Sequence, residues 1–426
     1  MTRSIDLRVL ALAALALFVF SIPSEGAVSI GGVGSLSRLI ALAAAGLTFL
    51  SLFFDGRFRF RIPSLFVITT VLLVLWMTAS YLWSVVPNVT FSRITTMLQL
   101  AVFVWMLHQV PQSQRDRTVL MQAFVFGCYL VVGIVITLFL VAPTDYYRQA
   151  GPFNPNGLAV VSGLAIPIAW MLALHYTSGW LRWANALYPL FAVFVVVLSA
   201  SRGGLLTTLV ALLIIPATLP RIGIVRGVAV TILFAVLAVG AIEYLPRAFP
   251  ALERNVERLV STPDELQGGT FTGRTYIWSA GLEVLRESPV GGVGVGGFNY
   301  ATYLIRGRAQ SPHNAFLSVA VGSGLIGLLL YLALFVIALT GILMAREHRI
   351  ELLVLFCALV VGLTPTNSDN DKFAWFLLSM IAVLRPINLR VGSWSVPRRA
   401  AEPGRADYSR RVGAGVSIVE VPPKFP

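Results

Sequence analysis

Three ionisable side chains, His313, Arg202 and Arg274, could carry chemistry in a chain that is otherwise mostly apolar. His313 lies in the segment SPHNAFL, where Pro312 fixes the chain entering an apolar run and Asn314 can cap a helix or form a local hydrogen bond. Imidazole is the side chain whose ordinary pKa lies near neutrality, so His313 could act as a general base. A water-facing histidine without a role is the alternative.

Arg202 lies in SASRGG, between the apolar runs 183–201 and 204–220. An arginine that faces lipid at depth costs several kcal/mol, so this one must lie at the interface, face a water-filled cavity or pair with an anion. Snorkelling to the headgroups is the alternative without a function. Gly203 and Gly204 would let a bulky anionic ligand approach the backbone, which favours a phosphate-binding arginine.

Arg274 lies in TFTGRTYIWSAGLEVLRESP, where Arg274, Trp278 and Gly281 share helical spacing. The pattern predicts an amphipathic helix along the membrane surface, and a solvated charge on that helix is the alternative. The surrounding region, 245–312, has seven basic and six acidic residues, so it does not attract polyanions as a whole. An anion site there needs individually placed arginines, which suit bidentate phosphate recognition.

Two further patterns imitate cofactor sites. Gly292, Gly294 and Gly297 match G-x-G-x-x-G, but no strand–helix unit surrounds them, and we expect a close turn at the cavity instead. Asp369 and Asp371 resemble a D-x-D metal pair without the rest of a ligand set. We therefore expect neither a metal ion nor another cofactor.

The elements that must position these residues are membrane helices, because 57% of the 426 residues are hydrophobic, only 12% are charged, and the mean hydropathy is +0.81. The predicted fold class is all-α, a polytopic integral membrane protein with about twelve transmembrane helices. Cys128 and Cys357 lie within apolar runs, which argues against redox chemistry. The twelve predicted spans are 8–22, 36–54, 64–86, 92–108, 119–142, 156–175, 183–201, 203–220, 227–244, 313–343, 349–366 and 372–388.

The net charge of +13 indicates membrane orientation rather than nucleic-acid binding. With both termini in the cytoplasm, 20 basic residues lie inside and 5 outside, apart from the seven in the long outer loop. His108, His175 and His348 then lie at cytoplasmic helix ends, and His313 is the only histidine outside. The predicted organisation is nine spans in 1–244, an outer loop with surface helices in 245–312, three spans in 313–388, and a basic, disordered cytoplasmic tail in 389–426.

The order of SRGG, GR-x-x-x-W, SPVGGVGVGGFN and PHNAFL, followed by Gly324 and Gly327, resembles the O-antigen ligase and polymerase superfamily of bacterial envelope enzymes. The segment GPFNPNGLA, with Asn154 and Asn156, also matches that family. These motifs cover about residues 150–330. The resemblance implies a type C glycosyltransferase architecture in the bacterial inner membrane, with a periplasmic active site that uses neither nucleotide sugar nor metal.

The resemblance also implies the substrates. The donor would be a glycan on undecaprenyl diphosphate, and the ligase's acceptor would be a lipid A core sugar. Arg202 and Arg274 would hold the diphosphate, and His313 would activate the acceptor hydroxyl in a one-step, inverting displacement. Other expected partners are membrane lipid and envelope glycan-assembly proteins. The remaining candidate substrate contacts are Asn154, Asn156, Asn314, Gly203, Gly294 and Trp278.

Three alternatives stay open. An O-antigen polymerase would use a similar donor with a second lipid-linked glycan as acceptor, and a protein O-glycosyltransferase would modify a protein. The spacing between the histidine and the glycine pair favours the ligase. A transporter of lipid-linked glycan needs no base and would place ionisable residues at mid-span, where this sequence has almost no acids.

Overall fold

The structure is a computed structural model that describes residues 6–25, 29–30, 34–55, 58–141, 148, 150–176, 179–218, 223–262, 274–345 and 348–383. Apart from one antiparallel pair of two-residue strands, β1 (Ser29–Ile30) and β2 (Gly34–Ser35), the regular structure in these ranges is helical. The predicted all-α class is therefore confirmed. The predicted disordered tail, 389–426, lies outside the described residues.

The described residues form sixteen α-helices, and each of the twelve predicted spans coincides with one of them or with the pair α8–α9. The helices are α1 (Leu7–Ser21), α2 (Leu36–Phe54), α3 (Leu65–Ala79), α4 (Pro87–Gln109), α5 (Gln114–Val141), α6 (Pro155–His175), α7 (Trp180–Ser199), α8 (Arg202–Leu212), α9 (Ile214–Ala217), α10 (Ile224–Ala248), α11 (Glu253–Val260), α12 (Arg274–Glu287), α13 (Phe298–Arg306), α14 (Ala315–Met344), α15 (Arg349–Leu363) and α16 (Lys372–Val383). Short 3-10 helices cover Ser80–Trp83, Pro250–Leu252 and Ser368–Asn370.

Seven helices of the described chain are long and apolar enough to cross a membrane. They are α2, α3 with the 3-10 turn that follows it, α4, α5, α6, α7 and α14, whereas α1, α8–α9 and α16 are shorter apolar helices. This composition is consistent with a multi-pass membrane protein. The count of twelve spans and their orientation stay predictions.

Helix α6 is the centre of the bundle, since it is buried along nearly its whole length and packs against α5, α7, α8 and α15. Small residues allow these helices to approach closely. A Cβ added to Gly204 of α8 would lie 2.2 Å from the Cβ of Ala159, and one added to Gly163 of α6 would lie 2.5 Å from the hydroxyl oxygen of Thr208. The start of α6 is thereby held next to the junction between α7 and α8.

Helix α14 is broken at Gly324, whose φ of +67° and ψ of −172° are not helical. The glycine-rich turn before α13 supplies hydrogen bonds at the break. The amide of Val293 donates to the carbonyl of Val321 (3.0 Å), and the amide of Leu325 donates to the carbonyl of Pro289 (2.8 Å). The glycine-rich turn therefore packs against α14 at this break, and we call this contact the joint.

We expect the Gly324→Ala variant to be destabilised by about 2–6 kcal/mol, because strain at positive φ and overpacking each cost about 1–3 kcal/mol. An added Cβ would lie 2.0 Å from the carbonyl oxygen of Val290. Gly341→Ala is the matched control, since Gly341 lies in the same helix with nothing within 4 Å of an added Cβ. Thermal unfolding in detergent measures the difference, and equal transition temperatures for the two variants would contradict the account of the joint.

Candidate active site

An open cavity of about 400 Å³ lies where α6, α8, α11, α12, the loop before α14 and the end of α15 meet. Arg148, Arg202, Arg258 and Arg274 line it together with His313. Among the described residues that line the cavity, none is acidic. Guanidinium groups bind phosphate through charge-assisted hydrogen bonds, so this concentration of positive charge is suited to a polyanion.

The structure brings most of the predicted site residues together, although they are far apart in the sequence. Six of the nine line this cavity: Arg202, Arg274, His313, Asn156, Gly203 and Trp278. Gly203 lies in the wall of the cavity. Close packing also favours a glycine at this position, because an added Cβ would lie 2.6 Å from the Cγ of Pro365.

Asn154, Asn314 and Gly294 are not among the residues that line the cavity, and each has a local structural role. Asn154 caps α6, and its Oδ1 accepts from the amides of Asn156 (3.0 Å) and Gly157 (3.2 Å). Asn314 caps α14 through the amide of Leu317 (3.0 Å). Gly294 has a φ of +93° and packs against Ser84, so the glycine-rich turn lies at the break in α14 instead of at the cavity.

Sequence reasoning missed two of the four arginines. Arg258 is one of the seven basic residues that six acidic residues nearly balance in 245–312, and none of the motifs includes Arg148. A usable signal was present for Arg148, because it lies six residues before Asn154 and next to the motif that starts α6. Arg258 has no comparable signal, since only the position of α11 in the fold brings its side chain to the cavity.

The C-terminal end of α7 holds these arginines in place. The last carbonyl groups of a helix lack partners within it and carry the negative end of the helix dipole. Nε of Arg148 donates to the carbonyl of Ser199 (3.1 Å), and Nε of Arg258 donates to the carbonyl of Ala200 (3.1 Å). Nε of Arg202 donates in turn to the carbonyl of Arg258 (3.0 Å). The end of α7 therefore orients two guanidinium groups directly, and the backbone of α11 orients that of Arg202.

The arginines lower each other's affinity for protons and that of the histidine. The pKa of Arg274 lies below its ordinary value because of burial and, to a smaller extent, because of the charges of Arg148 and Arg258. The pKa of His313 is also lowered, first by burial and then by Arg274 and Arg148. The lowered pKa favours the neutral form of His313, which can accept a proton, and a bound anion would offset the positive charge around it.

His313 is placed by an unusual backbone as well as by its neighbours. Its φ is +44°, and the indole nitrogen of Trp278 donates to the carbonyl of Pro312 (2.9 Å) just before it. Four non-glycine residues of the described chain have positive φ, and three of them, Arg148, Ala200 and His313, lie at this cavity or beside it. Such backbone strain is concentrated at functional sites.

The remaining histidines lie elsewhere. His175 and His348 line a separate cavity of about 290 Å³ at the opposite end of α6, and a ring nitrogen of His108 lies 3.0 Å from the carbonyl oxygen of Ile62.

In the part of the chain that the structure describes, no group of three or more His, Cys, Asp or Glu side chains could hold a metal ion. Asp371 lies beside the ion pair of Lys372 and Glu25, and burial raises its pKa to about 6.

A known protein family matches the part of the chain that contains most of the cavity residues. Residues 187–332 match the family model described as O-antigen ligase. The matched segment contains Arg202, Arg258, Arg274 and His313, whereas Arg148 precedes it. The predicted resemblance to the O-antigen ligase and polymerase superfamily is thereby confirmed.

Two curated relatives support this result. The chain is 33% identical over 106 residues to the exopolysaccharide production protein ExoQ of Rhizobium meliloti, which is 20% of this chain and 23% of that protein. It is 26% identical over 268 residues to the O-antigen ligase of Pseudomonas aeruginosa, which is 60% of this chain and 61% of that protein. The chain thus spans less than two thirds of either relative.

Proposed function

We propose that this protein is an O-antigen ligase that transfers a glycan from undecaprenyl diphosphate to a lipid A core sugar at the periplasmic face of the bacterial inner membrane. The observation that carries the proposal is the cavity that combines four arginines with one half-buried histidine. Arginines alone would fit a transporter of lipid-linked glycan equally well. Transfer of a glycan to a hydroxyl group requires a base as well, and His313 lies beside the arginines.

The chemistry follows from the charges that change during the transfer. The acceptor oxygen attacks the anomeric carbon, the bond from that carbon to the phosphate oxygen breaks, and the hydroxyl proton passes to His313. Negative charge develops on the departing undecaprenyl diphosphate. The four arginines of the cavity stabilise that charge more in the transition state than in the ground state, and this difference accelerates the reaction. They are Arg148, Arg202, Arg258 and Arg274. A single displacement inverts the anomeric centre.

A polymerase is the second candidate, because the relative with the higher identity is named as an exopolysaccharide production protein. Its donor site would be the same cavity, and only the acceptor would differ. The histidine followed by Gly324 and Gly327 in the sequence favours the ligase. A protein acceptor is the third possibility within the same superfamily.

The nature of the acceptor can be tested by reconstitution. Purified protein is incubated with undecaprenyl diphosphate glycan and lipid A core in the presence of EDTA, and both glycan-bearing products are followed. Glycan on lipid A core is the result that we expect from a metal-independent ligase. Longer undecaprenyl-linked chains would instead identify a polymerase, and the absence of both products would contradict a transferase of either kind.

The pH dependence of transfer should differ between the free enzyme and the donor complex. His313 must be neutral to accept a proton, so activity falls as the pH drops through its pKa. Because burial, Arg274 and Arg148 lower that pKa, the acid limb of kcat/KM for the donor should lie below the ordinary histidine value of about 6.5. A bound diphosphate offsets the arginine charges and should move the acid limb of kcat to higher pH.

Initial rates measured from about pH 5 to 8 at limiting and saturating donor give the two profiles. The order of the limbs is the decisive result. A kcat limb at lower pH than the kcat/KM limb would contradict the placement of the diphosphate beside His313.

A further inference from the structure

Asn255 of α11 is a buried amide that is not among the residues lining the arginine cavity, yet it contacts the elements that form it. Its side chain is fully buried, with an exposed fraction of 0%. Its Oδ1 accepts from the backbone amide of Arg148 (3.0 Å), and its Nδ2 donates to the carbonyl of Leu198 (2.9 Å). The carboxamide thus supplies an acceptor through one atom and a donor through another.

The first of these bonds fixes the backbone of Arg148. The φ of Arg148 is +72°, in the left-handed region that non-glycine residues rarely adopt. From that backbone the side chain reaches Ser199 through Nε and Asn156 through Nη2. The direction in which the guanidinium group enters the cavity therefore depends on a conformation that Asn255 holds.

The second bond completes the end of α7. Three consecutive carbonyl groups there each accept from a side chain: Leu198 from Asn255, Ser199 from Arg148, and Ala200 from Arg258. Without Asn255 the first of these carbonyls would be buried and unpaired, and the helix end that orients both guanidinium groups would shift to find a partner.

We propose that Asn255 is a positioning residue of the diphosphate site, which holds the left-handed backbone of Arg148 and the C-terminal end of α7 so that the arginines are oriented before the donor binds. The inference rests on the function proposed above. Preorganised groups lose less freedom on binding, so the benefit should appear in donor affinity.

The test measures the Kd of purified protein for undecaprenyl diphosphate by calorimetry in detergent, with thermal unfolding recorded for every variant. We expect Asn255→Leu to raise the Kd about tenfold or more. The matched control is Asn185→Leu, because Asn185 is an equally buried amide, bonded to Gln122 and Leu181 and not among the residues that line the cavity. That control should unfold at lower temperature and bind undecaprenyl diphosphate as the wild type does. Asn255→Ser provides a smaller perturbation if the leucine variant does not fold.

The same substitution in an Arg148→Ala background separates positioning from general stability. With no guanidinium group left to orient at position 148, we expect Asn255→Leu to change the Kd much less than in the wild type. The acid limb of kcat/KM adds a second readout, because displacement of Arg148 removes one of the charges, together with Arg274, that lower the pKa of His313. The limb should therefore move to higher pH in the single Asn255→Leu variant.

Three results would overturn the inference: an unchanged Kd in a folded Asn255→Leu variant, an equal effect of Asn255→Leu in both backgrounds, or an equal rise in Kd for Asn185→Leu. A wild-type protein that binds undecaprenyl diphosphate but transfers no glycan would contradict the proposed function alone, because the affinities of the variants would still decide the role of Asn255. A wild type that does not bind the diphosphate would contradict both.

Discussion

We expect the His313→Ala and His313→Asn variants to lose glycan transfer by at least about 100-fold, because a positioned general base contributes about 10²- to 10⁴-fold. The loss should appear in kcat, since the proton moves in the transfer step itself. Donor binding should be retained, because all four arginines remain in place. The measurement is the initial rate of transfer, normalised to folded protein and compared with the Kd for undecaprenyl diphosphate.

The asparagine variant makes this experiment specific. The φ of His313 is +44°, and asparagine adopts the left-handed region more readily than alanine does, so His313→Asn keeps the backbone while removing the base. His175→Ala is the matched control, since His175 lies at the opposite end of α6 beside a different cavity. Full transfer by a folded His313→Asn variant would exclude His313 as the base.

The second large effect should come from Arg274→Lys, which we expect to reduce kcat/KM for the donor by about 10- to 100-fold. Hydrogen bonds to charged groups contribute about 1.5–3 kcal/mol, and lysine keeps the charge but loses the planar fork that grips phosphate. Arg274 is half-buried and lies close enough to Arg148 and Arg258 for their charges to lower its pKa. A compact ammonium group cannot replace its two-point contact there.

Arg286→Lys is the control for this substitution, because Arg286 is exposed in the last turn of the same helix, α12, and does not line the cavity. Steady-state kinetics with varied donor separates the effect on kcat from the effect on KM. Equal kinetic constants for Arg274→Lys and the wild type would contradict a bidentate contact. Arg274 would then contribute only its positive charge, which lysine also carries.

The positions of the helices were predictable because the membrane forces them to be apolar. Runs such as 36–54 and 156–175 match α2 and α6 within a residue, since charge or Pro/Gly clusters bound them on both sides. His313 and Arg202 were found for the same reason, because an ionisable residue beside an apolar run is conspicuous.

The arginine cluster was only partly predictable, because tertiary contacts assemble it. Arg148 and Arg258 are joined to the end of α7 across 51 and 58 residues of sequence, and neither lies in an apolar context that would single it out. The glycines were misleading for a related reason. Gly294 satisfies backbone geometry and close packing at the break in α14, and composition cannot distinguish that from room for a ligand.

The most direct test of this transfer site is a cryo-electron microscopy structure of the protein with bound undecaprenyl diphosphate. We expect the diphosphate to lie within hydrogen-bond distance of the guanidinium groups of Arg148, Arg202, Arg258 and Arg274. His313 should face the phosphate that would carry the glycan. A diphosphate bound elsewhere, such as beside His175 and His348 at the other end of α6, would contradict the assignment of this cavity as the transfer site.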